Sequence, residues 1–218
     1  MAPKKRPNVT THALLGLLSV RSWTAYELTG QMRRALRYAW PRTEANLYSE
    51  IKDLVPRGLA QAIEEETGAR LRTRYEITDS GRAAVADWLR TEPLPVHVQF
   101  ETLLRVFLAD QGTRDELVAA ITATRQQVMD AIAEVLPVVE DYASDTPPFP
   151  ERAHLNSLFI AFIANFFKSV LEWCDTAELE VSTWPDVTGL GHTDGTRHMV
   201  NQALTYYRSV LATHQGQE

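Results

Sequence analysis

Arg42, Asn46, Ser49 and Lys52 follow one another at intervals of four, three and three residues within "PRTEANLYSEIKDLVPRGL", residues 41–59. On a helix that spacing sets a guanidinium, a carboxamide, a hydroxyl and an ammonium along one side. Their shared chemistry is recognition by hydrogen bonding. A carboxamide matches the donor and acceptor on an adenine edge, while Arg and Lys suit guanine or a phosphate oxygen. Ala45 and Ser49 are small enough to permit close approach inside a groove about 12 Å wide. Thr43, at the start of the helix, belongs to the same contact face. A second set lies downstream, where Arg70, Arg72 and Arg74 alternate in "RLRTRYEIT". On a strand they share one face, placed to touch phosphates or a neighbouring minor groove.

Other residue types do not assemble into a reactive site. His192, Asp194 and His198 lie close in sequence without a cysteine or a further strong ligand, and zinc needs three or four convergent ligands. They read as polar loop residues, with Asp194 or Thr196 capping the next helix. "GLGHTDG" has the wrong glycine spacing for a phosphate-cradling loop and follows no buried strand. Cys174, the single cysteine, has no resolving partner and reads as an inert thiol in a reducing compartment. No paired carboxylates and no activated nucleophile can be assigned, so the chain is not read as an enzyme and needs no metal or cofactor.

The elements that must position the polar residues can be traced by periodicity. In "TTHALLGLLSV", Leu14, Leu17 and Leu18 form a helical stripe, with Thr10 or Thr11 available as cap. Thr24 and Glu27 have capping-box spacing and open a second helix that Pro41 ends. In the third, Leu47, Ile51, Leu54 and Val55 form the apolar side, and Pro56-Arg57-Gly58 closes it with a left-handed cap. "LAQAIEE" and "RLRTRYEIT" then alternate as a hairpin would, with a turn at "ETGA" and Leu71, Thr73, Tyr75 and Ile77 on the second strand's other face. The acids of "IEEE", Ile63 to Glu66, would repel phosphate beside that turn. A fourth helix begins at Thr78 to Ser80 and turns Val85, Trp88 and Leu89 inward. Pro93 and Pro95 mark a boundary.

Helix, helix, helix, hairpin, helix within about 90 residues is the order of a winged helix-turn-helix domain with a two-stranded wing. The fold class is therefore mostly α, with this domain over residues 1–92 and a helical dimerisation domain, able to bind an effector, over 93–218. The second part holds the stripe Phe100, Leu103, Leu104, Phe107 and Leu108. A long helix follows with Leu117, Ile121, Val128, Ile132 and Val135, kinked or ended by Pro137. Beyond it come an aromatic helix from Glu151 to Trp173 and a last helix after a loop at 180–195. Long apolar faces with no sheet above them usually meet a second chain.

Composition agrees. The 218 residues are 44% hydrophobic and 23% charged, with net charge −6. Residues 1–92 hold 15 Lys and Arg against 11 Asp and Glu, whereas 93–218 hold 7 against 17. Only the first part is suited to an anionic partner. "MAPKKRPNV" is basic but precedes no apolar run with a small-residue cleavage site, so it does not read as a leader. Its Lys4, Lys5 and Arg6 could serve as an arm entering a groove. "LFIAFIA" lies in a segment interrupted by Asn156, Asn165, Lys168 and Glu172, which reads as a buried interface helix rather than a membrane span.

"ALLGLLSVRSWTAYEL", "LYSEIKDLVPRGL" and "RTRYEITDSGRAAVADWL" resemble, in order and spacing, the PadR family of phenolic-acid-decarboxylase regulators, over residues 12–90. The remainder is similar to the family's longer helical type. The resemblance implies a cytoplasmic, homodimeric transcriptional repressor, bound to double-stranded DNA at an inverted repeat and released by a small, often aromatic molecule. It implies that Tyr48 and Lys52 lie near phosphates, that Arg72 and Arg74 belong to the wing, and that Tyr75 packs beneath it. Phe100, Phe107, Phe162, Phe166 and Trp173 are candidates for lining an effector pocket. A transcriptional activator of the same fold stays open, as does a helical ligand-binding protein that uses its winged helix for protein contacts.

Overall fold

The computed structural model describes residues 8–67 and 70–215. Lys4, Lys5, Arg6 and the turn at 68–69 lie outside the described residues, as does the side chain of Arg70. The chain forms two compact units, Met1–His97 and Val98–Glu218.

The first unit starts with helix α1, Val9–Leu18, and its cap is Asn8 rather than either threonine. Asn8 Oδ1 accepts the Thr11 N–H at 2.9 Å and the Asn8 N–H returns to Thr11 Oγ1 at 3.2 Å. Thr10 and Thr11 are buried one turn inside. Strand β1, Trp23–Thr24, follows, and Thr24 caps α2, Ala25–Leu36, through the expected box with Glu27. The Thr24 backbone N–H holds the Glu27 carboxylate below its ordinary range. Helix α3 spans Glu44–Leu54. β2, Ala60–Thr67, and β3, Arg70–Ile77, form the hairpin, and α4, Asp79–Trp88, closes the unit.

The sheet has three strands in the order β1-β3-β2, one more than the sequence suggested. Two residues are too few to show a period, so β1 leaves no alternation to read. Trp23 pairs with Tyr75 and Thr24 with Arg74, all antiparallel. The core gathers Leu14, Leu15 and Leu18 of α1, Trp23, Leu28 and Met32, and Leu47, Ile51 and Leu54 of α3. Val55 is 36% exposed and Leu89 70%, so neither joins it as periodicity predicted. Trp88, 37% exposed, instead lays its ring on His12, with centroids 4.9 Å apart and planes at 7°.

The second unit is helical: α5, Glu101–Phe107, α6, Arg114–Ala143, α7, Ala153–Ser182, and α8, Asp194–Gln215. α6 and α7 are 30 residues each, roughly 45 Å long. They run antiparallel: Arg114 donates to the Val181 carbonyl at 3.0 Å, and Asn156 donates to the Tyr142 hydroxyl at 2.9 Å. Between these ends Arg125 meets Asp175 and Glu178, each at 2.7 Å.

The long helices run further than expected. α6 runs through Pro137 to Ala143, and α7 extends nine residues past Trp173 to Ser182. The α5 stripe is uncovered, with Leu104 63% and Phe107 81% exposed; Thr102 is the buried residue of this helix and its hydroxyl bonds Thr124 at 2.6 Å. α7 with its preceding turn is long and apolar enough to cross a bilayer by length and composition. Only 22% of its most apolar stretch is buried within the chain, so the interface burial expected of this aromatic helix is not supplied by the chain itself.

Candidate nucleic-acid interface

α3 begins where Pro41 holds the chain extended and Thr43 Oγ1 accepts the Asn46 N–H at 3.3 Å. The Thr43 hydroxyl is thus used as a cap. The turn after Leu54 closes at Gly58, whose φ of 73° is the left-handed conformation that suits glycine. Between these stops the two sides separate. Leu47, Glu50, Ile51 and Leu54 are buried, while Ala45, Asn46, Ser49 and Lys52 are exposed and Tyr48 is half-buried. The exposed side projects little beyond the backbone at Ala45 and Ser49. Donors stand at either end of it, which makes a face able to enter a groove and bond to its floor and walls.

Arg42 is exposed but anchored. Its guanidinium lies 4.4 Å from the centre of the Trp40 ring, donates to Thr10 Oγ1 at 3.2 Å, and donates to the Pro41 carbonyl at 2.7 Å. Arg33 of α2 pairs with Glu44 in the first turn of α3. Arg33, Arg37 and Arg42, with Met32, Trp40 and Leu47, line one shallow recess. These α2 arginines went unread in the sequence. "RRALR" in the helix before α3 was the available signal, since residues four apart share a side.

The wing arginines divide. Arg72 is exposed, opposite Glu65 in register. Arg74 is not on the solvent face. It is only 24% exposed, donates to Ser22, and stands 3.7 Å from both Glu27 and Glu65. The twist of the hairpin and its pairing with β1 turn this residue toward the domain, which alternation within one strand cannot reveal. Among the wing acids, Glu65 faces Arg72 across the ladder and also stands near Arg74, so its charge is met internally.

In the second unit, Phe100 and Trp173 meet edge to face at 5.5 Å. Phe166 packs against Phe167 at 6.1 Å. Phe107 and Phe162, 81% and 63% exposed, are not enclosed among the described residues, so the five candidates do not form a closed pocket there. Cys174 is fully buried, its Sγ 3.9 Å from the Ile121 carbonyl, and burial pushes its thiol up. Among the described residues no group of three His, Cys, Asp or Glu side chains could hold a metal ion.

The first unit is a winged helix-turn-helix whose third helix offers a slim polar face. Residues 14–87 match the model of the transcriptional regulator PadR-like family. A curated relative, the negative transcriptional regulator PadR of Bacillus subtilis, is 30% identical over 110 residues, 50% of this chain and 60% of that protein. The structure of Bacillus subtilis PadR in complex with operator DNA has a TM-score of 0.67 at 22% identity, covering 78% of this chain and 98% of the other. The same protein with p-coumaric acid gives 0.60 at 20% identity, covering 82% and 100%. Residues 14–87 therefore carry a domain similar to that of the PadR-like transcriptional regulators, and the chain spans less than two thirds of the curated relative's length.

Proposed function

We propose that this chain is a cytoplasmic DNA-binding repressor that acts as a homodimer on an inverted-repeat operator and is released by a small aromatic molecule. Residues 1–92 are its DNA-binding part and 93–218 its dimerisation and effector-binding part. The observation that carries the reading is the exposed side of α3, where small Ala45 and Ser49 lie between the donors Asn46 and Lys52. Asn46 reads a base edge. Lys52, Tyr48 and Arg42 engage phosphate or guanine, with Thr43 positioned at the helix start. Arg70 and Arg72 extend the contact along the wing, and Arg33 and Arg37 along the backbone that α2 crosses. Arg74 serves the wing from inside.

The exposed apolar residues of α5, α7 and α8 support dimerisation, because contiguous oily helix faces seldom stay in water. A twofold dimer fits half-sites about one helical turn, or a multiple of it, apart. An effector acts by favouring a dimer geometry that misfits that spacing. The names of the relatives, a negative regulator and structures with operator DNA and p-coumaric acid, favour repression and an aromatic effector.

The test is a binding titration of the purified chain on the DNA preceding its own gene, at several salt concentrations. The expected result is tight binding to an inverted repeat, with affinity falling linearly against salt on logarithmic axes. A chain that ignores duplexes at low ionic strength is no DNA-binding regulator.

A further inference from the structure

Glu50 is the one charged residue on the buried side of α3, 4% exposed. It stands one turn after Asn46, on the edge where the exposed face meets the core. Thr11 of α1, fully buried, donates its hydroxyl to Glu50 Oε1. Arg57, with its side chain 8% exposed, donates Nη1 to the same oxygen at 3.2 Å. Nη1 also reaches Thr11 Oγ1 at 3.4 Å. Arg57 can do this because Gly58 reverses the chain immediately after it, with the Gly58 N–H on the Val55 carbonyl at 2.9 Å and the Leu59 N–H on Leu54 at 3.0 Å. Thr11 Oγ1 is itself set by its bond with Asn8 at the start of α1.

Leucine and isoleucine contacts are non-directional and tolerate some rotation of a helix about its axis. A charge-assisted bond to a fixed hydroxyl does not. A buried ion pair is weak evidence for added stability, yet it can specify one arrangement among several. We propose that Glu50, Arg57 and Thr11 are positioning residues for DNA reading: their buried three-way contact fixes the rotation of α3 and thereby the angle at which Asn46 and Ser49 meet base edges. The inference rests on the DNA-binding reading above and adds to it residues that touch no DNA. Loosening the contact lets α3 roll by a few degrees, which displaces the Asn46 carboxamide while phosphate-seeking arginines adjust. Sequence discrimination falls and general affinity does not.

The test uses the full-length protein, a duplex selected by the wild type from a randomised pool, and a scrambled duplex of equal composition. The double variant E50L/R57M replaces the pair with apolar groups of similar size, an exchange proteins often tolerate without loss of stability. Its thermal unfolding should stay cooperative, and its affinity and salt slope on scrambled DNA should match wild type. The ratio of selected to scrambled affinity should fall by about tenfold, the worth of a single base contact. Thr11→Val should lower that ratio as well, and Thr11→Ser, which keeps the hydroxyl, should restore it. Wild-type discrimination in the double variant, or equal weakening on both duplexes, overturns the inference. Should the double variant not fold, the Val and Ser pair decides: equal ratios in both overturn it. A wild type that selects no duplex overturns the DNA-binding reading itself, whereas one that discriminates normally alongside normal variants overturns only the positioning role.

Discussion

Arg74 donates two hydrogen bonds to Ser22, one to the hydroxyl at 3.2 Å and one to the carbonyl oxygen at 2.5 Å. The residue before β1 is thereby joined to the second strand of the wing. Arg72, two positions away on the same strand, faces solvent. The two arginines should therefore fail in different ways. Arg74→Ala should lower stability by about 2 kcal/mol, since charge-assisted bonds to part-buried groups are lost. Arg72→Ala should leave stability within about 0.5 kcal/mol and reduce the salt slope of duplex binding by about one. Chemical denaturation and filter binding, run on both variants, check the division.

Asn46→Ala and Lys52→Ala should separate along another axis. Removing the carboxamide should relax preference at one base pair, at a cost of about 1–3 kcal/mol on the selected duplex. Removing the ammonium should weaken all duplexes alike and flatten the salt dependence. Gel-shift titrations at three salt concentrations distinguish them, and identical behaviour would count against the division of roles on α3.

Acidification should destabilise the first unit through His12. Burial against Trp88 holds its imidazole below the ordinary value of 6.5; the Asn8 carbonyl opposes this and the Arg57 charge adds to it. The unfolded chain takes up this proton first as pH falls. The stabilisation is complete above about 6.5 and drains away as pH drops toward the lowered folded value. His12→Phe, which keeps a ring against Trp88, should remove this part of the slope in thermal melts recorded between about pH 5 and 7.5.

Gly81 sits in the first turn of α4, where a Cβ would come within 2.1 Å of the Leu59 carbonyl oxygen and 2.8 Å of an Ile77 side-chain carbon. Gly81→Ala must therefore push α4 off the base of the hairpin. An expected cost of about 1–3 kcal/mol, typical of overpacking, is measurable by urea unfolding.

Cys174 should resist thiol reagents in the native protein and react once unfolded, because it is fully buried and its thiol is raised by burial. Rapid native labelling with Ellman's reagent would place α7 differently against α6.

What the sequence could disclose follows from the range of the signals. Thr43 and Gly58 act on their own backbone, so the limits of α3 were readable to within a residue. Leu47, Ile51 and Leu54 repeat at 3.6 residues and were assigned correctly to the core. Glu50 was invisible because a helical glutamate ordinarily points to water, and its burial depends on Thr11 and Arg57, 39 and 7 residues away. Arg74 was misplaced for a similar reason: its partners, Ser22 just before β1 and Glu27 in α2, lie far off in sequence. In the second unit periodicity located the oily faces of α5 and α7 but could not say what covers them. Pro137 was read as a kink or an end, and α6 continues through it to Ala143 despite the missing donor.

The short ladder between β1 and β3 has a mechanical meaning. Trp23 and Thr24 lie between α1 and α2, and they are stitched to Tyr75 and Arg74 in the wing. The base of the hairpin is thereby sewn into the middle of a three-helix cluster. On the proposed DNA-binding reading, the wing's root and the helices would meet a duplex as one piece.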